Sequence, residues 1–509
     1  MKLNTAYVRV GISCLAGLVL GWLTARLAAL EHRLGEIDIL LVVALTGSSF
    51  AWLIYNLLAG LIPKPLAVNE FKGSKAGLER SSKDEGLPGI NLWNSLIDHA
   101  PGLILSAAFF IILFNIGIRL NHPGFDTTDN LLDADNFTWM QRIAWAGGYE
   151  FEMRTPHPFA YFIFRPMGYI ANLILGDPFY AALFLNSLAG AVCVYLMVLL
   201  VNAILHNKTY ALLSAALLGF STAHLWFGSV IESYIFSAAT LLIFFVILQT
   251  NQKSNWGLVL SSLAVFGITI TNAAQTFIGF LVKNRNLKSF IRFSILVLSI
   301  AVILSVLHAA WYPSAQIFFL PSQAQAEEGF SISILREPAW RAMGRLVLLV
   351  RTVFLYTMIA PQPFVQVEEV GGTFPRFNFF HIAPGEYAYS SYDGVGAVLV
   401  YFWAALLLCA GVLFLRKTIR SHSLDLTAGF ALCVLFNFLL HLQYGYEPFL
   451  YSPDWAFALV AFTVLSFGEY ADQRWLQAVW MVFLVLLVIN QWQFFNFVIR
   501  TITPYIYQN

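Results

Sequence analysis

Asp133 and Asp135 stand one residue apart in the segment LLDADNFTWMQRIAW, residues 131–145. Arg142 follows seven residues after Asp135, two helical turns on and on the same helical face. A carboxylate within reach of a hydroxyl can take its proton, and an arginine can orient the acid or hold a phosphate. The pair lies just past an apolar run, 101–118, long enough to cross a bilayer, so the acids fall where a membrane helix meets water. Acids at a membrane surface point to chemistry on a lipid-linked substrate. A transport pathway is expected to place its charges nearer the bilayer midplane. The bland reading is an N-terminal helix cap in a solvated acidic loop that also holds Asp126, Asp129, Glu150 and Glu152.

Further candidates follow along the chain. His157, between Pro156 and Pro158 in TPHPFAYFIFRP, starts a new element, and it or Arg165 could contact a phosphate at the surface. Glu232 in IESYIFSAATLL sits at the mouth of an apolar run. Facing a cavity, it could hold an arginine, orient an acceptor or bind a divalent cation. Glu447 and Tyr451, with Tyr446 and Asp454, belong to HLQYGYEPFLYSPDW, either a wall of the site or part of an aromatic interfacial belt. Arg336, Arg341, Arg345 and Arg351 are natural ligands for a lipid phosphate, or long side chains that snorkel to the headgroups. Arg341 and Arg345 are one helical turn apart.

The elements that must position these residues are helices in a membrane. Of 509 residues 59% are hydrophobic and 11% charged, and mean hydropathy is +0.70, whereas a soluble domain carries about 25% charged residues. A net charge of +1 gives no basis for a nucleic-acid partner. Cys14, Cys193, Cys409 and Cys433 all lie in apolar runs without metal-ligand spacing. The N-terminal apolar run is too long for a signal peptide and reads as a membrane helix.

Runs near the required length occur at 8–30, 37–62, 101–120, 178–202, 209–227, 233–250, 290–310, 395–415, 424–441, 454–469 and 475–498. The stretch 256–282, interrupted by Asn272 and Gln275, reads as a span plus a short return. The chain is therefore expected to be an all-α polytopic membrane protein of about thirteen crossings. It divides into an N-terminal hairpin (1–62), a polar cytoplasmic linker (63–100) and a core (101–509) with outer loops 121–177, 311–394 and 442–453. Lys and Arg cluster in 63–100, 283–292 and 416–420. One topology places these, with Lys208, Lys253 and Arg474, on the cytoplasmic side and Asp135, Glu232 and Glu447 on the other. Residues 158–175 and 339–360 are predicted to be helices lying along the interface.

Four segments in this order resemble the GT-C superfamily of integral-membrane glycosyltransferases. They are DADNFTWMQR, HPFAYFIFRPMG, IESYIFSAATLL and EPFLYSPDW. The similarity is to bacterial relatives of protein O-mannosyltransferases and lipid A aminoarabinose transferases, over roughly 101–498. The chain lacks an adjacent-acid doublet in the first loop. The resemblance implies a GT-C-like core on the bacterial inner membrane with its active site on the extracytoplasmic face. It implies inverting transfer of a sugar from a polyprenyl-phosphate donor to a glycan, lipid or protein acceptor. Asp135, or alternatively Asp133, would be the base. Arg142 and Glu232 would orient the site, and Arg341 and Arg345 would meet the phosphate. Competing expectations are a transporter or lipid flippase, and a polysaccharide polymerase or ligase using a pyrophosphate-linked donor.

Overall fold

The computed structural model describes residues 5–31, 34–59, 92–123, 126–250, 256–332, 334–367, 374–421 and 424–506. Most of the expected linker, 60–91, lies outside them. The chain opens with α1 (Thr5–Glu31) and α2 (Glu36–Leu58), then α3 (Leu92–Leu120), α4 (Asn136–Ala144), α5 (Ala160–Leu175) and α6 (Pro178–Leu205). Next come α7 (Lys208–Gly219), α8 (Thr222–Ser229), α9 (Tyr234–Thr250), α10 (Trp256–Ile268), α11 (Ala273–Asn284) and α12 (Leu287–Trp311). The long segment that follows holds α13 (Pro321–Ala324), α14 (Ala339–Arg351) and the strands β1 (Phe364–Gln366), β2 (Arg376–Asn378), β3 (Phe380–Ala383) and β4 (Glu386–Tyr389). The chain closes with α15 (Gly394–Ser421), α16 (Leu426–His441), α17 (Pro453–Ser466) and α18 (Arg474–Ile506).

Among the described residues seven helices are long and apolar enough to cross a membrane: α1, α2, α3, α6, α12, α15 and α18. The pair α7 and α8 makes an eighth, bent by 64° at its break. Four further stretches expected as spans, α9, α10, α16 and α17, form apolar helices of 13 to 17 residues. The interruption near Asn272 is real. A short turn, Ile270–Asn272, separates α10 from α11, and Ile270 N–H donates to the Pro156 carbonyl at 2.9 Å. One span begins earlier than expected: α3 starts at Leu92 and continues through Pro101.

Helix starts follow local chemistry. Asp177 accepts from Phe179 N–H and Tyr180 N–H at 2.8 and 3.1 Å, with Pro178 opening α6. Asn207, Ser221, Asn286 and Asp425 cap α7, α8, α12 and α16 in the same way. In the N-terminal hairpin Gly17 and Gly47 let the backbones touch: a Cβ on Gly17 would come within 2.5 Å of the Gly47 carbonyl oxygen. The hairpin packs on α12, and Ser322 Oγ donates to Asp38 at 2.8 Å.

The all-α expectation needs one correction. β1 pairs with β2 and β3 with β4, both antiparallel, inside the 311–394 loop. Ala383 pairs with Glu386 across Pro384-Gly385, and Gly385 has φ +89°. Pro then Gly at the centre of a two-residue turn supplies the fixed φ and the positive φ that a type II turn needs. The two segments expected to lie along the membrane interface, 158–175 and 339–360, form the helices α5 and α14. α14 is amphipathic, burying Gly344, Arg345, Leu348 and Leu349 and exposing Met343 and Val350.

Candidate functional site

Asp135 occupies the N-cap position of α4, as its spacing predicts, but its carboxylate makes no capping hydrogen bond. That distinguishes it from the five side-chain caps above. The loop before it is tightly wound. Asp129, Leu132 and Asp133 all adopt positive φ (66°, 57° and 63°), where non-glycine residues are strained by about 1 kcal/mol or more each. The surroundings hold that shape. Leu132 N–H donates to Phe377 O, Phe377 N–H to Asn130 O, and the Trp226 indole N–H to Leu131 O. The same strand contact carries Arg376 to Asp133, Nη2 to Oδ1 at 3.2 Å.

Glu232 is buried, 1% exposed, in the short break between α8 and α9. Its Oε2 accepts the Asp135 backbone N–H at 2.9 Å, and its Oε1 accepts Ser233 N–H at 2.7 Å. The break is held by two side-chain amides. Asn186 of α6 accepts from Glu232 N–H and donates to the Phe227 and Val230 carbonyls. Asn121 accepts from Ile231 N–H and donates to Ser229 O. Acid 135 and acid 232, 97 residues apart, are thereby locked together.

The third component is the turn after α16. Arg345 is 4% exposed and aims its guanidinium into that turn. It donates to the carbonyls of His441 (2.6 and 3.2 Å), Tyr444 (3.2 Å), Gly445 and Tyr446 (2.8 Å). The clamped turn presents Glu447 and Tyr451 toward the loop of Asp133. Gly445, at φ +79°, lies against the Tyr451 ring, where a Cβ would come within 2.5 Å. Tyr451 packs edge-on to Tyr234 at 5.2 Å and against His441 at 4.4 Å.

The electrostatics are those of acids gathered out of water. Burial, then Asp129, pushes the Asp133 carboxyl up to about 6, against the pull of Arg376. Asp135 is raised by burial and by Asp129, with Arg142 and Arg154 opposing. Glu232 is raised by burial and by Asp135. Burial and the Asp133 charge push Glu447 up to about 8. Each acid therefore feels another, and the arginines near enough to be felt are Arg142, Arg154, Arg345 and Arg376.

Other expected residues lie around this centre or away from it. Arg142 sits over the Trp139 ring at 5.1 Å and donates to Glu152 O at 2.6 Å. His157 packs edge-on to Trp139 at 5.1 Å, with Nδ1 2.5 Å from Ile268 O. Burial lowers His157 to about 4, so its ring is neutral at pH 7 and brings no charge to a phosphate. Arg165 donates to the Trp145 and Ala146 carbonyls at 2.5 and 3.1 Å. It closes the C-terminal end of α4, about 13 Å along the helix from Asp135. Arg341 faces solvent, over Trp340 and 3.4 Å from Glu337.

Sequence reasoning missed two arginines. Arg376 reaches the site only through strand pairing of a distant segment. Arg154 ion-pairs with Glu327 at 2.7 Å and lies over Phe330. Glu327 also accepts from the Tyr444 hydroxyl at 3.0 Å, tying the 325–330 turn to the turn of Glu447. Among the described residues no three His, Cys, Asp or Glu side chains converge as a metal-ligand set.

Fold and site together define a polytopic helical membrane protein with an acid-rich centre at one end of its bundle. Comparison with protein families, curated proteins and solved structures returns no match.

Proposed function

We propose that this chain is an inverting membrane glycosyltransferase with thirteen crossings, two in the N-terminal hairpin and eleven in a GT-C-like core, set in a bacterial inner membrane. It moves a sugar from a polyprenyl-phosphate donor to an acceptor on the extracytoplasmic side. The observation that carries the reading is the Asp135 carboxylate. It stands at a helix start without capping it, half-buried, beside a second buried acid. An acid held that way has no structural duty and a raised proton affinity, as a general base requires.

The chemistry assigns a part to each neighbour. Asp135 takes the acceptor hydroxyl proton as the oxygen attacks the anomeric carbon. The bond to the carrier phosphate breaks, and the phosphate leaves with the electron pair. Glu232 fixes the Asp135 backbone by accepting its N–H. Arg376 and Arg142, which approach the acids from opposite sides in sequence, are the cations for the phosphate charge that develops on the leaving group. Arg345 holds the wall that bears Glu447 and Tyr451.

The test uses the full chain in proteoliposomes with a polyprenyl-phosphate donor carrying a radiolabelled sugar and a crude envelope extract as acceptor. Label should leave the carrier and enter the extract. Transfer from a pyrophosphate-linked donor alone would move the protein to the polymerase or ligase class. Transport of the intact labelled lipid with no transfer from either donor would replace the enzyme reading by a flippase.

A further inference from the structure

A cavity of about 260 Å³ lies at the end of the bundle that carries the acids, between the start of α15 and the second half of α18. Its lining includes Gln362, Tyr392, Asp393, Asn490, Gln493 and Phe497. On α18 the cavity residues fall at 490, 493, 494 and 497, the spacing of one helix face. This face carries two carboxamides, Asn490 and Gln493. Polar side chains are costly at a lipid boundary and accumulate where a cavity or a ligand meets them.

The lining excludes one ligand chemistry and suits another. Among the described residues that line it there is no Lys, Arg or His, and the ionisable groups are Asp393 and Tyr392. A phosphate placed there would meet a carboxylate and no cation. The Tyr392 hydroxyl and Asn490 Nδ2 donate to the Ile359 and Ala360 carbonyls, so the Gln362 and Gln493 carboxamides and the Asp393 carboxylate are the groups that offer donors and acceptors to hydroxyls. Phe494, Phe497, Pro361 and Pro363 offer apolar plates. Such a mixture fits an uncharged sugar ring, which has polar edges and apolar C–H faces. Phe497, a lining residue 46% exposed, opens the site to the outside of the bundle, so an occupant with an acyl chain can enter from the side.

The cavity also shares a wall with the acids. Phe494 lies 5.6 Å from Trp226, whose indole holds the Leu131 carbonyl two residues before Asp133. Phe494 is also 6.1 Å from Phe379, which packs at 4.7 Å on Phe449, two residues after Glu447.

We propose that this cavity binds the uncharged sugar head of a membrane amphiphile, and that this amphiphile is the acceptor. The acceptor role rests on the transferase reading above; the binding does not. The experiment reads binding to the full chain in nanodiscs. The probes are a monohexosyl diacylglycerol and phosphatidylglycerol with the same acyl chains, and retained lipid is counted by native mass spectrometry. The hexosyl lipid is expected to be retained in preference. Gln493→Leu should weaken its retention about threefold to tenfold, the loss of one or two neutral hydrogen bonds. Gln493→Lys, which adds the missing cation, should shift the preference toward phosphatidylglycerol. Equal retention of both lipids, or a preference unmoved by both Gln493 variants, overturns the proposal. Hexosyl-lipid binding with these sensitivities, but no transfer to it from a lipid-phosphate donor, keeps the binding site and removes the acceptor role.

Discussion

Replacing Asp135 separates a catalytic acid from a capping acid, because the structure assigns the two roles different costs. Its carboxylate makes no bond to the α4 backbone, and its backbone N–H donates to Glu232 whatever side chain is present. Asp135→Asn and Asp135→Ala should therefore both leave the melting temperature unchanged or slightly higher. The sign follows from linkage. Burial and Asp129 raise the Asp135 carboxyl, so folding is favoured by its neutral form at low pH. That advantage is lost as pH rises through the folded value, and a neutral side chain at 135 removes the loss at pH 7–8. Removing the charge also relieves its repulsion of Glu232. Sugar transfer should fall in both variants by about 10²–10⁴, the range for one general base, or about 3–5 kcal/mol in the barrier. If Asp135 caps instead, the pattern differs: Asn serves as a cap as well as Asp, whereas Ala costs about 1 kcal/mol. Thermal unfolding in detergent and initial rates from a labelled lipid-phosphate donor distinguish the cases. A destabilised Ala variant beside an Asn variant with wild-type transfer would refute the reasoning.

Transfer needs ionised acids, and Asp133 is held near 6 with Asp135 also raised. The rate should climb with pH across about 5–7, above the ordinary carboxylate range near 4. Arg376→Ala removes a cation that favours ionised Asp133 and should move that limb upward by less than about one pH unit. A limb near pH 4, or a downward move, contradicts the placement. Arg345→Met strips the donors from four carbonyls, those of His441 and Gly445 buried, and should destabilise by about 2–5 kcal/mol in thermal unfolding. An unchanged melting temperature with a raised donor KM would make Arg345 a phosphate ligand instead. Cysteines at Lys75→Cys and Gly329→Cys should label with impermeant maleimide from opposite faces of oriented vesicles, with 75 cytoplasmic. Labelling of both from one face reverses the topology.

What sequence revealed was whatever has a period or a cap. Apolar runs marked the seven helices long enough to span and the bent pair, and the DADN segment marked a helix start near Asp133 or Asp135, where α4 begins at Asn136. Glu232 and Glu447 were found because each acid interrupts an apolar pattern at a helix end. Partnership was not legible. Nothing in the local pattern around Arg345 says that its guanidinium meets the backbone of residues 441–446, nor that Arg341, one turn away, points to solvent. Arg376 lies in RFNFFHIAPGEYAY, where a Pro-Gly turn between alternating side chains does announce a hairpin. Which chain segment its edge would join is a tertiary matter. Asn121 and Asn186 look like ordinary polar residues near helix ends, and only the break at 230–233 shows why they are needed.

The loop that bears Asp133 and the strand that bears Arg376 are 243 residues apart in the chain. Synthesis at about 5–20 residues per second puts about 12–50 s between them. Throughout that interval the first outer loop has left the ribosome without the strand that pins Leu132 and Asn130. Its three positive-φ residues have no reason to hold their shape, and its acids are hydrated and have ordinary proton affinities. The centre is thus completed by one of the last segments to be made, after most of the helices are already inserted. A chain truncated before Arg376 carries Asp133, Asp135 and Glu232 but neither the strand that pins their loop nor the turn that bears Glu447, so the capacity for chemistry arrives late in synthesis.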